Sequence, residues 1–267
     1  MDLLSQIRLS LKSYWRAFRF IDDHNLWTLL IIPAVINMIL TLIMIIFAIR
    51  TSRLVVDFVL QHFQITTPDA TMHHLVEGLI MVIVRAFVFF LYLKVYRYLM
   101  LIALAPTLAI LSSRVQTIDF GPAKTSCTSK YLLDCSRGIK IALRNFMIEI
   151  VLSTFIIALC LVIAWAIPLA PIAVLLLESY FVGYSMADYR HEYFGISSRE
   201  SRKQINNYPG LVVGNGLWFN LLLLVPLLGI LFAPTFALVA SGLSINYIEK
   251  RKSESCKSNQ STLMMAR

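Results

Sequence analysis

The chain has 267 residues, 58% of them hydrophobic and only 15% charged, and its mean hydropathy is +0.73, so water is not its main solvent. Long uncharged runs without strand-like alternation argue against a β-barrel and for helices that satisfy their own backbone hydrogen bonds. The formal net charge of +9 lies mostly between the apolar runs, where it orients a membrane protein rather than binding nucleic acid.

Residues 1–24 put Leu4, Ile7, Leu11, Tyr14, Trp15, Phe18 and Ile21 on one helical face, with Arg8, Lys12, Arg16 and Arg19 to one side. The pattern predicts an amphipathic helix lying in the headgroup layer and lacks the apolar core and cleavage site of a signal peptide. The first spanning helix is expected over 26–49, long enough to cross about 30 Å of hydrocarbon and closed by Arg50 and Arg53. Residues 50–77 then read as a polar connection holding Asp57, Asp69, Glu77, His62, His73 and His74. The histidines lack metal-ligand spacing, so no metal or other cofactor is expected.

A second long helix is expected over 78–111, leaving the membrane near Lys94 and Arg97. Residues 112–144 carry six basic side chains against Asp119 and Asp134, so the positive-inside rule places them, and both termini, in the cytoplasm. Residues 146–187 form a hairpin turning at Pro168-Leu169-Ala170-Pro171, because closely spaced prolines remove donors and restrict their predecessors. Residues 211–247 form a second hairpin, interrupted by Pro226, Gly229 and Pro234. Several arms are short for a perpendicular crossing, so they either penetrate the bilayer in part or lie against neighbouring helices. Pro168 and Pro226, Leu169 and Leu227, and Asp188-Tyr189 and Asn246-Tyr247 recur at one offset, the mark of an internal repeat. The fold class is therefore an all-α integral membrane protein, a single membrane domain over 1–252 with a disordered cytoplasmic tail over 253–267. Cys127, Cys135, Cys160 and Cys256 show no paired spacing and are expected as free thiols.

Several motifs stand together along this plan. They are Trp15-Arg16-Ala17-Phe18, Ile31-Ile32-Pro33-Ala34-Val35-Ile36-Asn37, Ala105-Pro106, Asp188-Tyr189 with Ser198-Arg199-Glu200-Ser201, Gly214-Asn215-Gly216, and Val225-Pro226-Leu227-Leu228-Gly229 with Ala233-Pro234. In these the chain resembles the CysZ sulfate permeases of bacteria, a family grouped with the eukaryotic etoposide-induced membrane proteins. The resemblance implies two long transmembrane helices, two hairpins that enter the bilayer incompletely, assembly as a homo-oligomer in the bacterial inner membrane, and passage of sulfate. The family's oxyanion contact, a Gly-apolar-Arg-Arg stretch, falls here on Asn25-Leu26-Trp27-Thr28, without either arginine. Two further family positions, an Asn and a Glu after the Ala-Pro pair, are occupied by Leu108 and Ser113.

Asn25 and Thr28 remain candidates to help free N–H groups at a helix N-terminus hold an anion. Arg85, inside an apolar run, is expected to face a partner or a wet cavity, with Glu149 and Glu178 as ion-pair partners or proton carriers. Gly214, Asn215 and Gly216 offer either an anion-binding nest of backbone amides or a close helix contact. No nucleotide, hydrolase or metalloprotease motif is present. The expectation is a permease-like, non-enzymatic protein whose partners are the lipid bilayer, a small inorganic anion such as sulfate, and further copies of itself. The alternative is a membrane organiser that does not transport.

Overall fold

The computed structural model describes residues 2–63, 70–121, 128–225 and 228–265, with side chains described except at 60–77, 87, 90, 122–135, 161, 164, 226–227, 253 and beyond 254. The described elements are α1 (Leu3–Asp23), α2 (Trp27–Phe63), α3 (Ala70–Phe120), α4 (Thr128–Val162), a 3-10 segment (Ala164–Leu169), α5 (Ala170–Tyr193), α6 (Ser198–Asn206), α7 (Pro209–Leu223) and α8 (Leu228–Met265). The protein is an all-α membrane protein, with no strand among the described residues.

Five segments are long and apolar enough to cross a bilayer: Trp27–Val59, Gly78–Phe120, Ser136–Cys160, Trp165–Tyr193 and Leu228–Lys252. Two long helices were the expectation, and three of the four hairpin arms prove longer than predicted; only α7 is short. Charged residues were read as helix ends, yet Arg50 and Arg53 lie within α2, Arg144 within α4 and Asp188 within α5. A charge ends a membrane span only where it must reach water, and several of these are paired inside the bundle. The helix α8 likewise runs on to Met265 across the segment expected to be disordered; no Pro or Gly interrupts 248–265.

The first hairpin turns where the prolines predict, through the 3-10 segment holding Pro168, with Pro171 in the first turn of α5. The expected turn at Pro226 lies outside the described residues. Pro234 sits inside α8 rather than breaking it, as do Pro33 in α2 and Pro106 in α3. Neighbouring helices can re-satisfy the backbone group that a membrane proline frees.

The centre of the bundle is the contact between α5 and α7, where backbones touch. A Cβ on Gly216 would lie 1.8 Å from the Ser179 carbonyl oxygen, and one on Gly183 would lie 2.0 Å from that of Val212. Only residues without side chains allow this approach. The helix α1 crosses α7 and α8 by the same device, with Gly214 against Ser10, and its protein-facing side is Gln6, Leu9, Ser10, Ser13, Ala17 and Ile21. Its apolar stripe, including Leu4, Leu11, Trp15 and Phe18, faces outward. Beside this body α2 and α3 form an antiparallel pair, tied by Tyr92 Oη donating to Thr51 Oγ1 (3.0 Å) and by the Tyr96 hydroxyl 2.9 Å from Thr41. Asn37 joins the pair to α8 by donating to the Ile230 carbonyl, while its Oδ1 accepts from Tyr96 at 2.9 Å.

Candidate functional site

Asn25 is the C-terminal stop of α1. Its φ of 51° is left-handed, the Leu26 N–H donates to Ile21 O (3.0 Å), and the Asn25 N–H donates to Asp22 O (3.2 Å). That pair of bonds is a Schellman motif, which calls for Gly or Asn at this position. The residue equivalent to the family's glycine is thus fixed by backbone geometry. Thr28 lies exposed in the first turn of α2, close in sequence to Asp22, which accepts from Trp27 Nε1 at 3.2 Å. Asp22 and Asp23 set negative charge beside the helix N-terminus where an anion would sit.

Glu149 and Glu178, the candidate partners of Arg85, come together around Lys94 and Arg97 instead. Lys94 Nζ lies 3.2 Å from Glu149 Oε1 and 2.7 Å from Glu178 Oε1, and it also donates to Ser153 Oγ at 3.2 Å. Arg97 Nη1 lies 2.9 Å from Glu178 Oε2, an ion pair rather than a well-aligned hydrogen bond, and the Tyr98 hydroxyl donates to Glu149 Oε2. Exposure is 8% for Lys94, 9% for Arg97, 1% for Glu149 and 6% for Glu178. Two cations and two carboxylates balance, locking α3, α4 and α5 together. Arg85 is exposed, three turns and about 18 Å of helical rise from Arg97. Lys94, Arg97 and Tyr98 were legible only as a helix leaving the membrane; their i, i+3, i+4 spacing, which puts all three on one face, was the signal that identifies them.

A second polar layer joins the C-terminal end of α5 to the middle of α8. Arg137 grips Asp188 through Nε (3.0 Å) and Nη2 (2.9 Å), Ser201 donates to Asp188, and His191 Nδ1 is 3.0 Å from Ser201 Oγ. Arg190 donates to Asn246 Oδ1 (2.5 Å) and to Glu249, while Asn246 donates to Gln116 (2.9 Å) and Asp119 (2.6 Å). The repeated Asp188-Tyr189 and Asn246-Tyr247 pairs thus matter first for Asp188 and Asn246, which anchor the two networks. Tyr189 is buried, while the Tyr247 ring receives the Arg16 guanidinium at 5.0 Å. The helix α6 is held over this layer by Ser201, and its start is fixed by Ser197, which accepts from Glu200 N–H at 3.3 Å in a Ser-x-x-Glu box.

Of the Gly214-Asn215-Gly216 candidates, the glycines lie within α7 and provide close helix contacts, whereas Asn215 lines a cavity. That cavity, about 230 Å³, lies between α5, α6, α7 and α8, with His191, Tyr208, Ser241, Glu249 and Lys252 on its wall. Asn215 Nδ2 donates to Ser244 Oγ at 3.3 Å, and the Asn215 carbonyl accepts from Tyr14 at 2.7 Å. Burial pushes the Tyr14 phenol well above its ordinary pKa, so this donor keeps its proton. Asn215 Oδ1 and Ser241 Oγ are buried with no hydrogen-bond partner among the described residues. Lys252 stands at the wall with its ammonium 5.0 Å from the Tyr208 ring.

The arrangement offers a hollow of mixed hydrogen-bonding character beside a lysine, and no nucleophile–base pair is evident among these wall residues. The expected His62, His73 and His74 lie outside the described side chains. Compared with known proteins, residues 13–234 match the family model described as sulfate transporter CysZ/etoposide-induced protein 2.4. No curated protein matches the chain.

Proposed function

The chain belongs to the sulfate transporter CysZ/etoposide-induced protein 2.4 family, and from that premise we propose that it is a permease-like protein of the bacterial inner membrane passing a small oxyanion such as sulfate. Both termini face the cytoplasm in this reading, several copies assemble, and the protein carries out no enzymatic step. The observation that carries the reading is the cavity lined by Asn215, Ser241, His191 and Lys252. Lys252, exposed at the wall of this hollow, supplies a charged donor suited to an oxyanion.

The buried charge layer serves a different purpose. Its cations are already neutralised by Glu149 and Glu178, so it fixes α3, α4 and α5 rather than holding the anion. A second reading, the non-transporting membrane organiser, is favoured by one observation: Asp22 and Asp23 precede the α2 terminus on which the family's paired arginines would fall.

Thiol accessibility tests the permease reading. In a chain with its four cysteines replaced by serine, Gln204→Cys, at a half-buried position on the cavity wall, is expected to react with a small water-soluble thiol reagent, and sulfate is expected to slow that reaction. A thiol introduced at this position that reacts at the same rate with and without sulfate would speak against an oxyanion in this cavity.

A further inference from the structure

We propose that α1, the end of α7 and the start of α8 form a binding site for one anionic phospholipid. An apolar groove of about 490 Å³ runs between the outward stripe of α1, the start of α2 and these two helix ends, with Leu11, Trp15, Phe18, Trp27, Val225 and Phe232 on its wall. That volume falls in the range of roughly 300–1,000 Å³ typical of small-molecule sites. Its polar share is minimal, and Phe18 sits edge-on to Trp27 (5.9 Å) and stacked on Phe236 (6.2 Å), so the wall is rigid and aromatic. A groove of this kind in a membrane protein takes an acyl chain.

The groove's rim identifies the headgroup. Arg8, Lys12 and Arg19 are exposed along the adjoining face of α1, and the Arg19 guanidinium lies 5.7 Å from the ring of Trp15, itself a groove residue. The acidic residues of α1 are confined to its end, Asp22 and Asp23, with Asp22 accepting from Trp27 Nε1 at 3.2 Å, so the headgroup lies toward Arg8 and Lys12. Arg16, on the same side but farther from the groove, has its guanidinium over the ring of Tyr247. The helix thus presents a chain-sized hollow below and a run of cations above, the two halves of one anionic lipid. The occupant is a phospholipid of the leaflet in which α1 lies, and the site stands on the membrane fold alone, independent of transport.

Native mass spectrometry of the full chain, released from detergent micelles containing equimolar phosphatidylglycerol and phosphatidylcholine, tests it. The expected result is one retained phosphatidylglycerol per chain, preferred over phosphatidylcholine by roughly thirtyfold, the size that two surface cations give with an anionic lipid. The double variant Lys12→Gln/Arg19→Gln is expected to erase the preference while leaving retention of either lipid, and Val225→Trp, at an exposed groove position, to reduce retention of both. Equal retention of the two lipids by the unaltered chain would overturn the proposal, as would a preference that survives both variants. Release as a lipid-free dimer that Val225→Trp dissociates would also overturn it, assigning the groove to a second copy. Monodisperse elution of each variant establishes that it is folded.

Discussion

At the scale of single residues, Asn25 and Lys94 show how the same sequence feature can serve structure or ligand. A non-glycine residue held at left-handed φ costs about 1–2 kcal/mol unless it is Asn or Asp, so Asn25→Val is expected to lower stability by that amount while Asn25→Gly leaves it unchanged. Thermal unfolding in detergent measures both. An anion ligand at Asn25 would instead show sulfate-dependent stabilisation that Asn25→Gly removes. Lys94→Ala leaves buried Glu149 without a cation and Glu178 with Arg97 alone, and is expected to cost about 3–5 kcal/mol. Adding Glu149→Gln to Lys94→Ala is expected to recover part of that loss, because one unpaired charge is removed; a cycle without coupling would mean the layer is not the unit described. Glu149 and Glu178 were legible in the sequence because carboxylates in apolar runs need partners. Their cation was not: Arg85 is the more isolated charge along the chain, and only the three-dimensional register of α3 puts Lys94 and Arg97 opposite the glutamates.

At the scale of elements, helix packing by absent side chains explains most of what periodicity missed. The apolar stripe of α1 is plain in the sequence, yet Leu4, Leu11, Trp15 and Phe18 of it face outward, and the side that touches protein is mostly small or polar, Gln6, Ser10, Ser13 and Ala17, with Leu9 and Ile21. In water the apolar face would be the packing face; beside lipid, close van der Waals approach decides, and small residues win. Gly216→Ala puts a methyl 1.8 Å from a backbone oxygen and is expected to cost more than the about 1–3 kcal/mol typical of overpacked cores, separating α5 from α7. Gly78→Ala meets nothing within 4 Å and is expected to be neutral or to stabilise by up to about 1 kcal/mol through helix propensity. Comparing yields and melting temperatures of the two variants checks the contrast. Helix ends were the least legible feature, because Arg144 and Asp188 look like boundaries until their pairing within the bundle is seen; the 3-10 turn at Pro168 and the Ser197 cap of α6, whose chemistry is local, show in sequence directly.

At the scale of the whole molecule, an antiparallel pair, α2 and α3, leans on a body made from two hairpins, with α1 strapped across α7 and α8. Two polar layers brace it: the charge-balanced cluster on α3–α5, and the Asp188 and Asn246 networks beneath α6. Large apolar side chains such as Ile39, Phe47, Val82 and Phe89 cover the outer faces of α2 and α3, where lipid or further copies meet them. The cavity at Asn215 and Lys252 is the part of this plan suited to a small polar solute, and it was foreshadowed in the sequence only by Asn215, because its walls are drawn from four separate helices. Uptake of radiolabelled sulfate into liposomes holding the purified protein tests the central claim most directly, with empty liposomes and the Lys252→Gln variant alongside. The account predicts saturable uptake that Lys252→Gln lowers several-fold and Arg85→Ala leaves intact; folded protein that admits no more sulfate than empty liposomes would contradict it and favour the membrane-organising role.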